Sequence, residues 1–451
     1  MSNGLGCNAV LSHPFCPEVC DAVEELSSHF SRVDCLVASN MRRVLGAYAN
    51  ARIGSQHFSG STGYGHNDAG GREAFDKAFA EIFRAEAAIV RPQVLDLYSF
   101  LFVSLLSNSF NGWVCVCFSQ FFSGTHAIAS ALYAVLRPGD ELLSVAGAPY
   151  DTLEEVIGLR GSKGHGSLKE FGISYREVPV TAKGCLDKTA LATSVTKKTQ
   201  CAFIQRSCGY SWRETLSISD IQAAVTLIKD QNPNCVVMVD NCYGEFVETV
   251  EPTAVGADIV AGSLIKNPGG TIAPCGGYVV GKTELVAAAA ARLSAPGIGI
   301  DAGSASGDIM RLLVQGLFLA PQMVGEAIKG TLLVAEVLAK EGYKVRPSQR
   351  AKRYDTIQAV ELGSRERLLA FCAAVQQCCP VGAYIKPTAG VTPGYESEVV
   401  FADGTFIDGS TSELSCDGPL REPFIVFCQG GTHWTHWALT LEKVLQALKK
   451  A

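Results

Sequence analysis

The sequence lacks several patterns that would assign a function at once. Its 451 residues carry 38 basic and 44 acidic side chains, a net charge of −6, and no strong basic patch, so we expect no nucleic-acid partner. The 17 cysteines include no CxxC pair at metal-site spacing, and we predict no metal site. No GxGxxG motif follows the first predicted strand, which argues against a nucleotide-dependent dehydrogenase.

Signals for export are also absent. The cysteines are odd in number and scattered, and several, such as Cys201 and Cys235, lie in apolar strand patterns, which indicates a reducing compartment without structural disulfides. The start MSNGLGCNAV lacks the charged start and apolar core of a secretory signal. We therefore expect a cytoplasmic protein without membrane association, with a plastid as the alternative should this N-terminus be incomplete.

Strand and helix patterns alternate through the first two thirds of the chain. Apolar runs predict strands at 88–90, 141–145, 173–178, 201–204, 235–239, 258–261 and 278–280. Helical patterns include 72–84, 126–136, 153–157 and 218–229. This alternation predicts an α/β fold with a large, mostly parallel, seven-stranded sheet covered on both faces.

The length requires more than one domain. We predict an N-terminal arm over residues 1–70, with a helix near 17–30 and a glycine- and serine-rich loop at 54–71. A large cofactor-binding domain would follow at 71–305. Residues 306–451 would form a smaller α+β domain, with a long helix near 308–341 and strands near 356–361, 398–401 and 424–427.

One segment differs from its surroundings. Residues 94–120 are rich in apolar side chains and contain a single charge, Asp96. Without them, the flanking residues would read as one continuous strand, loop and helix. We interpret the segment as an insertion foreign to the fold. The alternatives are a packed or dimer-contact loop and a membrane element, because 18 or more mostly apolar residues can span a bilayer.

Two predicted strands end in residues suited to chemistry. Asp240 follows the apolar run 235–239, and Lys266 follows the run 258–264. Because ligands of open α/β sheets bind outside the carboxyl ends of the strands, both side chains can face one pocket. A carboxylate for a pyridinium nitrogen and a lysine for a Schiff base are what pyridoxal phosphate (PLP) requires. Taken singly, Asp240 could instead cap a helix and Lys266 could be an exposed turn residue.

Two further features come earlier in the chain. Small residues around Gly124 and Thr125 precede a predicted helix, whose first N–H groups can bind a phosphate; an ordinary helix cap is the alternative. Tyr150 follows the strand at 141–145, where an aromatic ring can stack on a flat cofactor or simply pack at the strand end.

In this order, the features resemble those of fold-type I PLP enzymes. Longer motifs resemble the cystathionine β-lyase and methionine γ-lyase group, in particular its cystathionine β-lyase-like subfamily linked to aluminium resistance. The motifs are YGHND, FFSGTHAIASAL, RPGDELLSVAGAPYDTLEEVIG, VDNCYGEF and AGSLIKNPGGTIAPCGGYVVG. One departure concerns Ile265, because the better-known lyases carry a threonine directly before the lysine.

The resemblance implies a role for each matching residue. Lys266 would form the Schiff base, Asp240 would bind the pyridine nitrogen, Gly124, Thr125 and Ser263 would hold the phosphate, Tyr150 would stack on the ring, and Tyr64 would reach the catalytic site from a neighbouring subunit. The protein would then be a homodimer or homotetramer, and the loop of the N-terminal arm would serve both the dimer and the active site.

The implied activity is a carbon–sulfur lyase that acts on a sulfur-containing amino acid by β- or γ-elimination. The substrate carboxylate would need an arginine, for which Arg421 is the first candidate and Arg206 the second. One alternative is another PLP reaction, such as aminotransfer or racemisation. The other is a PLP-fold protein impaired by the segment 94–120.

Overall fold

The structure is a computed structural model that describes residues 15–63, 70–92, 121–300, 304–392, 394–395 and 397–451. Tyr64 and the segment 94–120 lie outside the described residues, so both interpretations stay predictions. The helices are α1 Pro17–Asn50, α2 Gly71–Phe83, α3 Gly124–Val135, α4 Asp151–Ile157, α5 Lys188–Ser194, α6 Ile218–Gln231, α7 Thr283–Leu293, α8 Gly307–Lys340, α9 Arg365–Gln376 and α10 Trp434–Leu448. The strands are β1 Ser61–Gly63, β2 Ala87–Arg91, β3 Glu141–Ser144, β4 Ser174–Glu177, β5 Thr199–Gln205, β6 Val236–Asp240, β7 Ile259–Ser263, β8 Gly277–Gly281, β9 Ser304–Ser306, β10 Lys344–Arg346, β11 Ile357–Glu361, β12 Val399–Ala402, β13 Ser415–Pro419 and β14 Ile425–Gln429.

The large sheet has seven strands in the order β2-β8-β7-β6-β5-β3-β4. Strand β8 runs antiparallel to both of its neighbours, and the remaining pairs are parallel. The predicted α/β class and seven-stranded sheet are therefore confirmed. The inner strands β6, β7 and β8 are almost continuously apolar because both faces of the sheet are covered there, as parallel sheets require.

Successive residues of one strand pack in two different hydrophobic clusters. Met238 of β6 packs in the cluster that includes α3 and α7 side chains. Val237 and Val239 pack in the other cluster, together with side chains of α1, α2 and α8. Because successive strand residues point to opposite faces, each strand anchors both helical layers. The carboxyl ends of β6 and β7 are thereby fixed beside each other, with Asp240 paired with Ala261.

Helix α1 is longer than the predicted 17–30, and this expectation was wrong. Its buried residues Leu26, Val33, Val44 and Ala47 recur at helical spacing along 34 residues. They pack along α8, which is equally long. This contact between two long helices extends beyond residue 30, where the sequence prediction ended.

Helix α8 agrees with the predicted pattern at 308–341. Among the described residues it is the one helix long and apolar enough to cross a membrane, yet 78% of its most apolar window is buried inside the protein. Those side chains belong to the core that joins α1 with both sheets.

The small sheet is antiparallel, in the order β10-β11-β14-β13-β12. Strand β13 is missing from the sequence prediction because Asp417, Gly418 and Pro419 have low strand propensity. One face of the sheet, with Val360 and Cys428, packs on the helices of the main core. The opposite face turns toward the large sheet.

Candidate active site

Asp240 is the last residue of β6 and is 4% exposed. The backbone N–H of Cys242 donates to its Oδ1 over 3.0 Å. Burial raises the pKa of Asp240, although the Cys242 hydrogen bonds and the charges of Lys266 and Arg213 act in the opposite direction. A cation held close to Asp240 would therefore stabilise its carboxylate form. A protonated pyridine nitrogen is such a cation.

Lys266 lies three residues after the end of β7, and its Nζ is 3.8 Å from the centre of the Tyr243 ring. Burial tends to lower the pKa of Lys266, but Tyr243, Cys242 and Asp240 outweigh it and hold the pKa above the ordinary lysine value. The two strand-end residues singled out from the sequence therefore act electrostatically on each other.

The start of α3 forms an anion cradle beside β7. Ser123 caps the helix by accepting from the His126 N–H. A Cβ added to Gly124 would lie 2.7 Å from the Ser263 Cβ, so only glycine allows this approach. The Ser263 Oγ is buried and has no hydrogen-bond partner among the described residues. An unpaired hydroxyl next to a helix N-terminus fits a phosphate, because a buried polar group without a partner is costly.

Tyr150 links this cradle to Asp240. Its Oη lies 3.0 Å from the Thr125 Oγ1, and its backbone N–H donates to Gln205 Oε1 over 2.8 Å. Burial and the nearby charge of Asp240 raise the pKa of the Tyr150 phenol well above its usual value. The ring is thus neutral and held between the phosphate cradle and the strand-end carboxylate, where a flat cofactor ring would be stacked.

Ile265 offers no hydroxyl to the cradle, and a Cβ added to Gly409 would lie 3.1 Å from its Cδ1. The side chain that replaces the threonine of the better-known lyases therefore contacts the segment between β12 and β13. Ser263 and Thr125 provide hydroxyl groups near the start of α3.

Sequence reasoning missed Tyr243. This residue follows β6 in the left-handed region with φ of 69°, an uncommon conformation for a side-chain-bearing residue. Its ring faces the Lys266 amine. The available signal was the motif DNCYGEF, where an aromatic follows the strand-end aspartate.

The two candidate arginines lie in different environments. The Arg206 side chain is 0% exposed, and its guanidinium binds Asn241, the Gly244 carbonyl and Glu248. It therefore fixes the loop that follows β6. Arg421 is exposed, and its Nη2 donates to the Tyr210 carbonyl over 3.3 Å. This placement favours Arg421 as the group that could meet a substrate.

Together, the sheet topology, strand-end aspartate, strand-end lysine and anion cradle are those of the fold-type I class of PLP-dependent proteins. The methionine gamma-lyase family profile matches residues 17–109 and 102–449. The chain belongs to this family, which implies PLP as the cofactor.

Similar proteins extend over nearly the whole chain. The uncharacterized protein YnbB of Bacillus subtilis is 43% identical over 412 residues, which cover 91% of this chain and 91% of that protein. A structure from Listeria monocytogenes, provisionally described as a cystathionine beta-lyase involved in aluminum resistance, is 40% identical, with a TM-score of 0.86 over 96% of this chain and 99% of the other. A carbon-sulfur lyase involved in aluminum resistance from Clostridium novyi is 36% identical, with a TM-score of 0.84 over 96% and 95% of the two chains. These neighbours indicate a PLP-dependent enzyme of the cystathionine β-lyase or methionine γ-lyase kind.

Proposed function

We propose that the protein is a carbon–sulfur lyase that cleaves a sulfur-containing amino acid by β- or γ-elimination, with Lys266 as the PLP-bearing lysine. The observation that carries the proposal is the convergence of Lys266, Asp240 and the unpaired hydroxyl of Ser263 at one edge of the large sheet. The name of the Clostridium novyi relative supports the reaction class.

The residues present fit the cofactor. Lys266 would hold PLP covalently, Asp240 would bind the ring nitrogen, Tyr150 would stack on the ring, and Gly124, Thr125 and Ser263 would bind the phosphate. When bound, PLP supplies an electron sink for the charge left on the substrate Cα after a proton is removed.

Side chains of the protein carry out proton removal and substrate binding. The Lys266 amine, once free and uncharged, removes the Cα proton as a general base, and Tyr243, Cys242 and Asp240 stabilise the ammonium group that forms. The Tyr243 ring limits where that amine can lie. Arg421 binds the substrate carboxylate, best as a bidentate pair. The sulfur atom leaves with the electron pair of its bond to carbon, and the amino acid remainder is hydrolysed to a keto acid and ammonia.

Borohydride reduction followed by peptide mapping tests the lysine assignment. Lys266 should carry the reduced cofactor, and Lys266→Ala should remove both the label and the turnover while circular dichroism stays unchanged. Lys282→Ala is the matched control, because Lys282 lies at the opposite edge of the sheet, where it pairs with Asp258 over 2.7 Å. A label on any other lysine would refute the assignment.

The reaction class is tested by mass spectrometry of the products from a panel of amino acids. Release of a thiol with a keto acid supports elimination. A keto acid that retains its sulfur would show aminotransfer, and a D-amino acid would show racemisation. Purified protein without an absorbance band of bound PLP would identify an impaired PLP-fold protein.

We also propose that Tyr64 completes the site of a neighbouring subunit in a homodimer or homotetramer. Mixing Tyr64→Phe protein with Lys266→Ala protein tests this arrangement. Hybrid oligomers contain some sites with both native residues, so activity should recover on mixing. Recovery should be absent if each subunit uses its own Tyr64.

A further inference from the structure

A carboxylate interrupts the apolar face that the small sheet turns toward the active site. Asp417 of β13 pairs with Phe427 of β14, which pairs with Ala359 of β11. Directly opposed residues of antiparallel strands share one face of the sheet. Phe427 and Ala359 belong to the apolar cluster that includes Tyr243, the residue under the Lys266 amine. Asp417 therefore lies on the face that covers the active site.

The surroundings of Asp417 hold it in place without neutralising it. The Tyr210 hydroxyl donates to its Oδ2 over 2.9 Å. The Tyr210 ring packs between Phe427, at 5.2 Å, and Tyr395, at 5.7 Å. In the described part of the chain, the ion pairs within 4.0 Å include none to Asp417. The one hydrogen bond thus orients a carboxylate that still needs a cation.

The electrostatics agree with this geometry. Asp417 is 9% exposed, and burial raises its pKa to about 6. The hydrogen bond from Tyr210 and the charge of Lys266 act against this rise, so the lysine lies within electrostatic reach of the carboxylate. No ion pair within 4.0 Å joins Lys266 and Asp417 among the described residues, so the carboxylate lacks a cation in direct contact.

A substrate can supply the missing cation. The α-amino and α-carboxylate groups of an amino acid are used by the cofactor and by Arg421 in the proposed function. Another carboxylate placed beside Asp417 would be repelled, whereas an ammonium group would form a charge-assisted hydrogen bond. Such a group must lie beyond the sulfur atom, on the part of the substrate that leaves.

We propose that Asp417 is a specificity-determining residue that selects sulfur amino acids with a second ammonium group beyond the sulfur. The proposal rests on the proposed function for its substrate class. Tyr210 acts as a positioning residue, because its hydroxyl fixes the Asp417 carboxylate and its carbonyl accepts from Arg421.

Binding of two unreactive amino acids to the PLP-loaded protein tests the recognition alone. L-lysine and L-norleucine have the same chain length and no sulfur to expel, and only L-lysine carries the distal ammonium group. Calorimetry should show L-lysine bound about tenfold more tightly, as a hydrogen bond to a charged group would give. Asp417→Asn keeps the shape and an acceptor for Tyr210, and should bring the two dissociation constants together.

Asp403→Asn is the matched control, because it removes the same charge from an exposed neighbour whose charge also acts on Asp417. It should keep the preference for L-lysine. Equal binding of both ligands by the wild-type protein, or a preference that survives in Asp417→Asn, would overturn the proposal. Asp417→Ser provides a second neutral variant if Asp417→Asn fails to fold.

Turnover of S-(2-aminoethyl)-L-cysteine and S-propyl-L-cysteine separates recognition from chemistry. Asp417→Asn should lower kcat/KM for the aminoethyl compound about tenfold and leave the propyl compound unchanged. An equal loss for both would identify Asp417 as a general acid or a purely structural group and refute the selection role. If neither compound is cleaved while the L-lysine preference stands, elimination fails and the recognition by Asp417 remains.

Discussion

Two buried aspartates on neighbouring strands should respond to the same substitution in opposite ways. Asp240 ends β6, whereas Asp258 directly precedes β7 at the other edge of the sheet. Both are 4% exposed. Asp258 accepts from Lys229 and Lys282, each over 2.7 Å, while no lysine or arginine of the described residues lies within 4.0 Å of the Asp240 carboxylate. The difference predicts which aspartate serves chemistry and which serves stability.

The directions of the pKa shifts of Asp240 and Asp258 decide whether each ionised carboxylate adds to stability or reduces it. Burial raises the pKa of Asp240 above its unfolded value of 3.8, so its ionised form costs stability and stability is lost as the pH rises through the folded pKa. Burial also acts on Asp258, but its hydrogen bonds from Lys229, Lys282 and Val237 lower the pKa, so its ionised form contributes stability above pH 3.8. At pH 8, cofactor-free Asp240→Asn should be at least as stable as wild type. Asp258→Asn should lose about 1–3 kcal/mol.

The effects of the two substitutions on turnover should be the reverse of their effects on stability. Loss of the charged partner of the ring nitrogen removes about 3 kcal/mol, or roughly two orders of magnitude in rate, in Asp240→Asn. Asp258→Asn, once folded and loaded with PLP, should turn over at nearly the wild-type rate. Urea unfolding of the cofactor-free proteins and steady-state kinetics of the loaded proteins measure both effects. Near-normal turnover of Asp240→Asn would show that this carboxylate does not control the ring nitrogen.

Three further predictions follow from charge, burial and composition. Arg421→Ala should raise KM at least about tenfold with unchanged stability. Arg206→Ala should lower the free energy of unfolding by about 3 kcal/mol or more, because Glu248 loses its buried partner. The opposite pattern would exchange the roles of the two arginines. Burial raises the pKa of Glu245 to about 8 from 4.5, so stability should fall by at most about 5 kcal/mol as the pH rises from 4.5 to 8. Glu245→Gln should reduce this dependence of stability on pH in thermal unfolding. An unchanged pH dependence would assign it to other groups. Deletion of residues 94–120 should preserve or improve solubility, PLP content and thermal stability, since a 27-residue apolar loop in a compact domain is unusual. An unfolded deletion product would show that the segment is part of the fold.

The sequence alone determined the large sheet and the sheet edge at which Asp240 and Lys266 meet. Short apolar runs between turn and helix patterns predict strands buried on both faces, and Asp240 and Lys266 follow two of these runs. Parallel neighbouring strands end at the same edge, so local patterns were sufficient to place both residues near one pocket. The helix start beside Gly124 and Thr125 was predictable too, because a helix start is a local feature, whereas its contact with Ser263 was not.

Only the tertiary structure decided the features that depend on contacts between distant parts of the chain. Strand β13 has weak local propensity and exists because β12 and β14 pair with it. Arg206 became a structural group because Glu248 lies beside it, 42 residues later in the chain. Asp417 meets Tyr210 across 207 residues, at the place where the small sheet covers Lys266. Burial and partners arise from packing, and packing between distant segments leaves no periodic signal in a single sequence.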